Sequence, residues 1–160
     1  MLRALFFAAA ITLMPADAAA QNLSTGLYAN SRYDPRANPY RDLEHAIARA
    51  STENKRVLIV VGGDWCVWCE VLDRFLAQNA DVHAAFEESF VVLKVNWSSQ
   101  NTNAAFLSGF PESVGFPDFF VLDGNGAFRA QQDVGELESG RSYSRTRMLA
   151  FAQRWRPSVR

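Results

Sequence analysis

Cysteine is scarce in this sequence, which has two among its 160 residues. Two cysteines cannot form the several bridges that hold small secreted scaffolds together. They can form one disulfide, one thiol pair or half of a zinc site, which needs about four ligands. Histidine is equally scarce, and His45 and His83 are not spaced as a compact ligand pair. The sequence therefore predicts no metal centre.

An excess of basic charge is also missing. The 16 basic and 17 acidic residues give a net charge of −1 at pH 7. A nucleic-acid-binding protein normally has a basic balance, so this composition argues against one. Hydrophobic residues make up 49% of the chain and charged residues 21%. Such proportions are typical of a globular protein and exclude a disordered or collagen-like chain.

Long hydrophobic runs are missing apart from one at the N-terminus. Residues 4–14 are apolar, but a transmembrane helix needs roughly 20 residues. Arg3 precedes this run and small residues with an Ala-x-Ala pattern follow it, which is the arrangement of a secretory signal. We expect residues 1–20 to be a signal peptide, removed on export with no stable membrane insertion afterwards. A short anchor or a buried helix is the alternative.

The rest of the chain is predicted to be an extended N-terminal arm over residues 21–38 and one domain over residues 39–160. Periodicity, capping residues and turn signals predict helices at residues 39–52, 66–79, 81–88, 104–110 and 144–155. Strands are predicted at residues 57–61, 90–95, 117–122 and 127–131. Strands linked through helices pair in parallel, and the tight turn before the last strand adds an antiparallel pair. The expected fold class is α/β, with a mixed central sheet and helices on both faces.

The two cysteines form a C-x-x-C motif, Cys66 to Cys69, directly after a predicted buried strand and at the start of a helix. Residues three apart on a helix are neighbours, so the two sulfurs can bond without distorting the backbone. Unpaired N–H groups and the helix dipole favour the thiolate of Cys66, which we expect to be exposed and to attack first. Cys69 lies one turn deeper and is the expected resolving sulfur.

A structural disulfide and a metal site are the alternatives for this pair. A bridge that closes a two-residue gap removes little entropy from the unfolded chain, so stability is a poor reason for this spacing. A zinc site lacks the remaining ligands. The position at a strand-to-helix junction therefore favours a redox pair.

Two segments carry a resemblance to a known family. Residues 65–69, Trp-Cys-Val-Trp-Cys, resemble the W-C-x-x-C active site of the thioredoxin superfamily. Residues 114–117, Val-Gly-Phe-Pro, resemble the segment that holds the superfamily's cis-proline. The resemblance covers about residues 42–155 and implies the thioredoxin fold. It points most closely to exported bacterial thioredoxin-like proteins, including the reducing periplasmic domains of the DsbD type.

The resemblance implies roles for individual residues. Cys66 is the implied nucleophile and Cys69 the resolving cysteine, joined in a redox disulfide. Pro117 is implied to shape the groove that receives the client backbone, where proline has no N–H to obstruct the position. The other expected substrate-binding side chains are Trp65, Trp68 and Phe116.

The sequence departs from the superfamily pattern at one position. Thioredoxins carry a buried acid six residues before the first cysteine, and Val60 stands there. Asp73 lies one helical turn beyond Cys69, where DsbD-type domains have an acid. Asp73 could therefore accept the proton of Cys69, or it could be a solvated helix carboxylate. Asp64, just before the helix, is either a capping residue or a catalytic one.

The residues between the cysteines bear on the redox potential. Val67 and Trp68 offer neither a positive charge nor a hydrogen bond to sulfur, so we expect a reducing couple. The expected function is a periplasmic thiol–disulfide oxidoreductase that reduces client proteins without a dissociable cofactor. Its expected partners are disulfide-containing or thiol clients and a membrane electron donor of the DsbD type. A non-catalytic thioredoxin-fold module that binds a protein is the alternative.

Overall fold

The computed structural model describes residues 26–158 of the chain. The signal peptide expected at residues 1–20 lies outside these residues, as do residues 21–25 of the predicted arm. Within the described part of the chain, no helix has both the length and the hydropathy to cross a membrane.

The described residues form strands and helices in the order that the apolar pattern predicts, with additional short elements. The strands are Tyr28–Asn30 (β1), Arg56–Gly62 (β2), Phe90–Asn96 (β3), Asp118–Leu122 (β4), Phe128–Gln132 (β5), Glu138–Ser139 (β6) and Ser142–Tyr143 (β7). The α-helices are Pro39–Glu53 (α1), Val67–Gln78 (α2), Ala80–Ser89 (α3), Ala104–Leu107 (α4) and Arg145–Arg154 (α5). A 3-10 turn, Val134–Leu137, precedes β6.

The first five strands form one mixed sheet in the order β1-β3-β2-β4-β5. β3 pairs in parallel with both β1 and β2. β4 pairs antiparallel with both β2 and β5. Every residue of β3, and every residue of β2 after the first, is buried. Such continuous burial is expected for strands covered on both faces, and it accounts for their largely apolar sequences.

Helices cover both faces of this sheet. On one face Ile59 of β2 shares a hydrophobic cluster with Ala46 of α1 and Phe106 of α4. On the other face Leu58 lies in a second cluster with residues of α2, α3 and α5, such as Phe86. The alternation of β2 side chains between the two clusters follows from the two-residue period of a strand. The predicted fold class is confirmed.

The direction of β4 differs from the prediction. A helix between β3 and β4 implies parallel pairing, whereas β4 runs antiparallel to β2, with Asp118 opposite Val61. The 21 residues between β3 and β4 contain a single helix, α4, of four residues. A helix of that length spans about 6 Å, so it does not carry the chain back along the sheet as the helix of a parallel crossover does. The chain re-enters the sheet at the end of the strands where it left, and β4 begins beside the end of β2.

The described part of the predicted arm contributes to the sheet and to the core. Its residues Tyr28–Asn30 form the edge strand β1, and Leu27 and Tyr33 are buried. Arg49 of α1 holds this segment, because its guanidinium donates hydrogen bonds to the carbonyls of Gly26 and Tyr28. A three-residue polar strand carries no periodic pattern. It forms because β3 offers a free edge and Arg49 binds its carbonyls.

Candidate active site

The cysteine pair lies at the junction of β2 and α2. Cys66 is the N-cap of α2, with extended backbone angles (φ −89°, ψ 104°). Its Sγ accepts a hydrogen bond from the backbone N–H of Cys69 at 3.1 Å. The two residues form a disulfide, with Cα atoms 5.2 Å apart. A sulfur therefore stands where helices usually place a capping oxygen, at the positive end of the helix dipole.

The exposure of Cys66 differs from the prediction. Cys66 is 5% exposed, although its neighbours Trp65 and Val67 are 51% and 71% exposed. The start of the helix is at the surface, but the side chain of Cys66 turns back to cap the helix and leaves the solvent. Cys69 is also buried. Any preference for attack at Cys66 must come from its place at the helix N-terminus, because exposure barely distinguishes the two sulfurs.

Two consecutive glycines make room for the motif. A Cβ added at Gly62 would lie 2.5 Å from Cys69 Sγ. A Cβ added at Gly63 would collide with the indole of Trp65 and lie 2.9 Å from the carbonyl oxygen of Trp97. Contacts below 3.0 Å are too short for carbon. The absence of side chains at the end of β2 thus lets both the resolving sulfur and Trp65 pack against the backbone.

Three aromatic side chains, Trp65, Trp97 and Phe116, form an aromatic cluster beside the cysteines. Trp65 Nε1 donates a hydrogen bond to the carbonyl oxygen of Trp97 at 2.7 Å. The ring of Phe116 stacks on Trp97 at 4.8 Å and meets Trp65 edge-on at 5.4 Å. A groove of about 420 Å³ lies beside the cluster and is lined in part by Trp97, Phe110 and Phe116. The cluster provides an apolar, partly exposed surface next to Cys66.

The segment before β4 reaches the same place. The Phe116–Pro117 peptide bond is cis, and pairing of Asp118 with Val61 puts Pro117 beside the end of β2. Asp118 is buried, and its carboxylate accepts hydrogen bonds from Gln131 Nε2 and the backbone N–H of Phe119. Burial raises the pKa of Asp118 above its usual value, and these hydrogen bonds partly offset the effect.

Trp68, the second residue between the cysteines, packs away from the aromatic cluster. It is half-buried, and its ring meets the ring of Tyr143 edge-on at 5.6 Å. The hydroxyl of Tyr143 donates to the carbonyl oxygen of Trp68 at 3.2 Å. The structure thus brings Trp65, Phe116 and Pro117 together beside the cysteines and places Trp68 against β7.

The acidic candidates are separated from one another. Asp73 forms an ion pair with Lys94 of β3, whose Nζ lies 2.6 and 2.7 Å from the carboxylate oxygens. Lys94 is 5% exposed and lies on the sheet beneath α2. Asp64 is exposed, and the N-cap of α2 is Cys66 rather than Asp64. Asp73 is itself 43% exposed, so its carboxylate lies at the surface end of an ion pair whose lysine is buried.

The sequence matches a family profile across this site. The profile of a family described as thioredoxin-like covers residues 38–124, which include both cysteines and the cis-proline. The chain belongs to the thioredoxin-like family. No curated protein matches the sequence.

Solved structures carry the same fold. A disulphide isomerase from Xylella fastidiosa Temecula1 superposes with a TM-score of 0.65 at 25% identity, over 78% of this chain and 96% of that one. The C-terminal domain of Neisseria meningitidis DsbD superposes in its oxidised form with a TM-score of 0.57 at 16% identity, over 79% and 100% of the two chains. Its reduced form gives 0.55 at 17% identity, over 81% and 99%. With its CxxC disulfide, this thioredoxin-like chain is of the thiol–disulfide oxidoreductase type.

Sequence reasoning did not find several residues of the site in this thioredoxin-like chain. Lys94 could have been found from a signal in the sequence, because it is a lone lysine inside the apolar strand Phe90–Asn96 and a buried charge needs a partner. Asp118 carries the same signal in β4. Trp97 and Tyr33 had none, since their contacts depend on how the loops fold. No group of three or more potential metal-ligating side chains occurs within residues 26–158.

Substitution of Gly62→Ala tests the close packing behind Cys69. We expect the free energy of unfolding of the oxidised protein to fall by about 1–3 kcal/mol, because overpacking a filled site has that cost. Urea unfolding without reductant measures the change. The matched control is Gly115→Ala, where an added Cβ meets no atom within 4 Å and the expected change is within about 0.5 kcal/mol. Equal stability of Gly62→Ala and wild type would contradict the packing argument.

Proposed function

We propose that this protein is a periplasmic disulfide reductase that acts on client proteins through Cys66 and Cys69. The observation that carries the proposal is the Cys66–Cys69 disulfide at the N-terminus of α2, beside an exposed apolar surface. The Cys66 thiolate attacks a client disulfide, forms a mixed disulfide and releases one client sulfur, which takes a proton. The Cys69 thiolate then attacks Cys66 Sγ and releases the second client sulfur. Two electrons pass to the client, and the protein becomes the disulfide.

The surroundings of the sulfurs support the reducing direction. The hydrogen bond to Cys66 Sγ comes from the backbone N–H of Cys69. Val67 is apolar and exposed, and Trp68 packs against Tyr143. Neither side chain supplies a charge that would stabilise the Cys66 thiolate. A less stabilised thiolate makes the dithiol a better reductant.

The aromatic cluster is the proposed client-binding surface, together with Pro117. Aromatic rings supply much of the contact energy at protein interfaces, and Trp65 and Trp97 are exposed beside the motif. Trp68 can contribute to this surface only by leaving Tyr143. The predicted signal peptide supports export to the periplasm, where a membrane donor of the DsbD type would return electrons to the disulfide.

A non-catalytic binding module is the second candidate. The low exposure of Cys66 favours it, because a buried sulfur is poorly placed for attack unless the client displaces its cover. In that case the aromatic cluster would bind a partner and the disulfide would be structural. The two candidates differ in whether thiols are exchanged.

Insulin reduction with cysteine variants separates the two candidates. We expect the wild-type protein to catalyse insulin reduction by dithiothreitol and Cys66→Ser to be inactive. We expect Cys69→Ser to accumulate a mixed disulfide, because the resolving sulfur is missing. Non-reducing electrophoresis and peptide mapping detect the adduct. A wild-type rate equal to the uncatalysed rate, or an adduct on Cys69 in Cys66→Ser alone, would contradict the assignment.

We also propose that Asp73 accepts the proton of Cys69 during resolution. Asp73 lies one helical turn beyond Cys69, and Lys94 orients its carboxylate. An open groove of about 230 Å³ lined in part by Asp73, Lys94 and His83 connects this carboxylate to the surface. A proton received there can pass to solvent through the groove.

Neutralising Asp73 tests this role. We expect Asp73→Asn to slow resolution of the mixed disulfide by roughly 10- to 100-fold, as for loss of a general base, and Asp73→Glu to recover most of the rate. Asp73→Asn also leaves buried Lys94 without its anion, so part of its effect is structural. Asp73→Glu restores both the ion pair and the proton acceptor, so a further measurement must separate these two contributions. The pH dependence of resolution, followed by stopped-flow tryptophan fluorescence, makes that separation. The control Glu70→Gln lies on the same helix and is exposed. Identical pH profiles for Asp73→Asn and wild type would contradict the proposal.

A further inference from the structure

Tyr33 is a buried tyrosine whose hydroxyl has no partner. It lies between β1 and α1 and is 5% exposed. Its ring faces the ammonium of Lys94, with Nζ 4.9 Å from the ring centroid. Within residues 26–158, its hydroxyl is the buried side-chain polar atom that makes no hydrogen bond. Such a group destabilises a fold, because it has lost its hydrogen bonds to water.

The hydroxyl of Tyr33 lies next to the resolving sulfur. A Cβ added at Gly62 would lie 2.5 Å from Cys69 Sγ and 3.2 Å from the Tyr33 oxygen. The two atoms therefore both border the position that a Cβ of residue 62 would occupy, and they can lie this close to it because residue 62 has no side chain. Tyr33 and Cys69 also belong to the same hydrophobic cluster, and both side chains are buried.

Whether Cys69 Sγ can accept a hydrogen bond from the Tyr33 hydroxyl depends on the redox state of the cysteine pair. In the disulfide, Cys69 Sγ is bonded to Cys66 Sγ and is a weak acceptor. Reduction breaks this S–S bond with two electrons and two protons from a donor dithiol, which itself becomes a disulfide. Cys69 Sγ is then a thiol or a thiolate, and a thiolate accepts a strong hydrogen bond from an O–H group.

We propose that Tyr33 is a positioning residue whose hydroxyl donates a hydrogen bond to Cys69 Sγ once the disulfide is opened, and thereby favours the reduced form. Tyr33 keeps its own proton throughout. The inference rests on the proposed function only in requiring that the pair cycles between disulfide and dithiol.

The charges around Tyr33 suit a permanent donor. Burial, followed by the negative charge of Asp73, raises the pKa of Tyr33 well above its usual value. Lys94 lies on the ring face, where a cation is attracted to the π electrons without competing for the hydroxyl. The hydroxyl therefore stays protonated in both redox states.

The variant Tyr33→Phe tests the inference, because it keeps the ring in the core and on Lys94 and removes only the hydroxyl. We expect the equilibrium constant with glutathione to shift about tenfold toward the disulfide. For a two-electron couple this shift makes the reduction potential about 30 mV more negative. We also expect a lower Tm for the reduced variant than for reduced wild type. The oxidised variant should have an equal or higher Tm, because the hydroxyl lacks a partner in that state.

The control is Tyr28→Phe, since Tyr28 also lies over Lys94 (5.4 Å) but is not among the nearest neighbours of the Gly62 position. We expect an unchanged potential. An equal shift of the potential in both variants would overturn the inference. Equal Tm changes in the two redox states of Tyr33→Phe would overturn it too, because the lost hydroxyl would then act independently of Cys69.

Raman spectra of the wild-type protein supply a test that needs no variant. The tyrosine doublet should change on reduction, and an unchanged doublet would overturn the inference. None of the three readouts, potential, Tm and Raman spectrum, uses a client, so an inactive insulin assay with a shifted potential would reject the reductase proposal and retain the inference.

Discussion

The sulfur of Cys69 fits between α2 and the end of β2 because residue 62 has no side chain. This one close contact joins the end of β2, the first turn of α2 and the segment that carries Tyr33. It sets how deep the helix lies on the sheet and hence where Cys66 caps it. The neighbouring glycine gives Trp65 the same freedom, so the indole reaches the carbonyl oxygen of Trp97. The disulfide and the aromatic cluster both depend on this packing.

The sheet and most helices could be predicted because continuous burial leaves a clear pattern in the sequence. β2 and β3 are largely apolar runs, interrupted in β3 by Lys94. Asn38 with Pro39 marks the start of α1, where the Asn38 side chain accepts hydrogen bonds from two backbone N–H groups. β1 and the direction of β4 could not be predicted in this way. The first depends on Arg49, which is distant in sequence, and the second on how far a single helical turn carries the chain.

The cysteine pair and the cis-proline segment could be predicted because their chemistry is local in sequence. Asp73 could be predicted as well, because it lies one helical turn beyond Cys69. Its pairing with Lys94 and the approach of the buried Tyr33 could not, because these residues come from a strand and a loop and meet Asp73 only when the sheet is assembled. A buried valine stands at position 60, where the superfamily has an acid, and Lys94 is its partner on the neighbouring strand. The charge near this position therefore comes from β3, and Asp73 of α2 balances it.

The proposed function requires Cys66 and Cys69 to form a reducing couple, and the reduction potential of the wild-type protein tests that requirement most directly. Equilibration with glutathione and dithiothreitol buffers, read out by tryptophan fluorescence, gives its value. We expect a potential nearer the thioredoxin value of about −270 mV than the strongly oxidising value of about −120 mV. A potential above about −160 mV, close to the oxidising end of that scale, would contradict the proposed function and would assign the protein to disulfide formation.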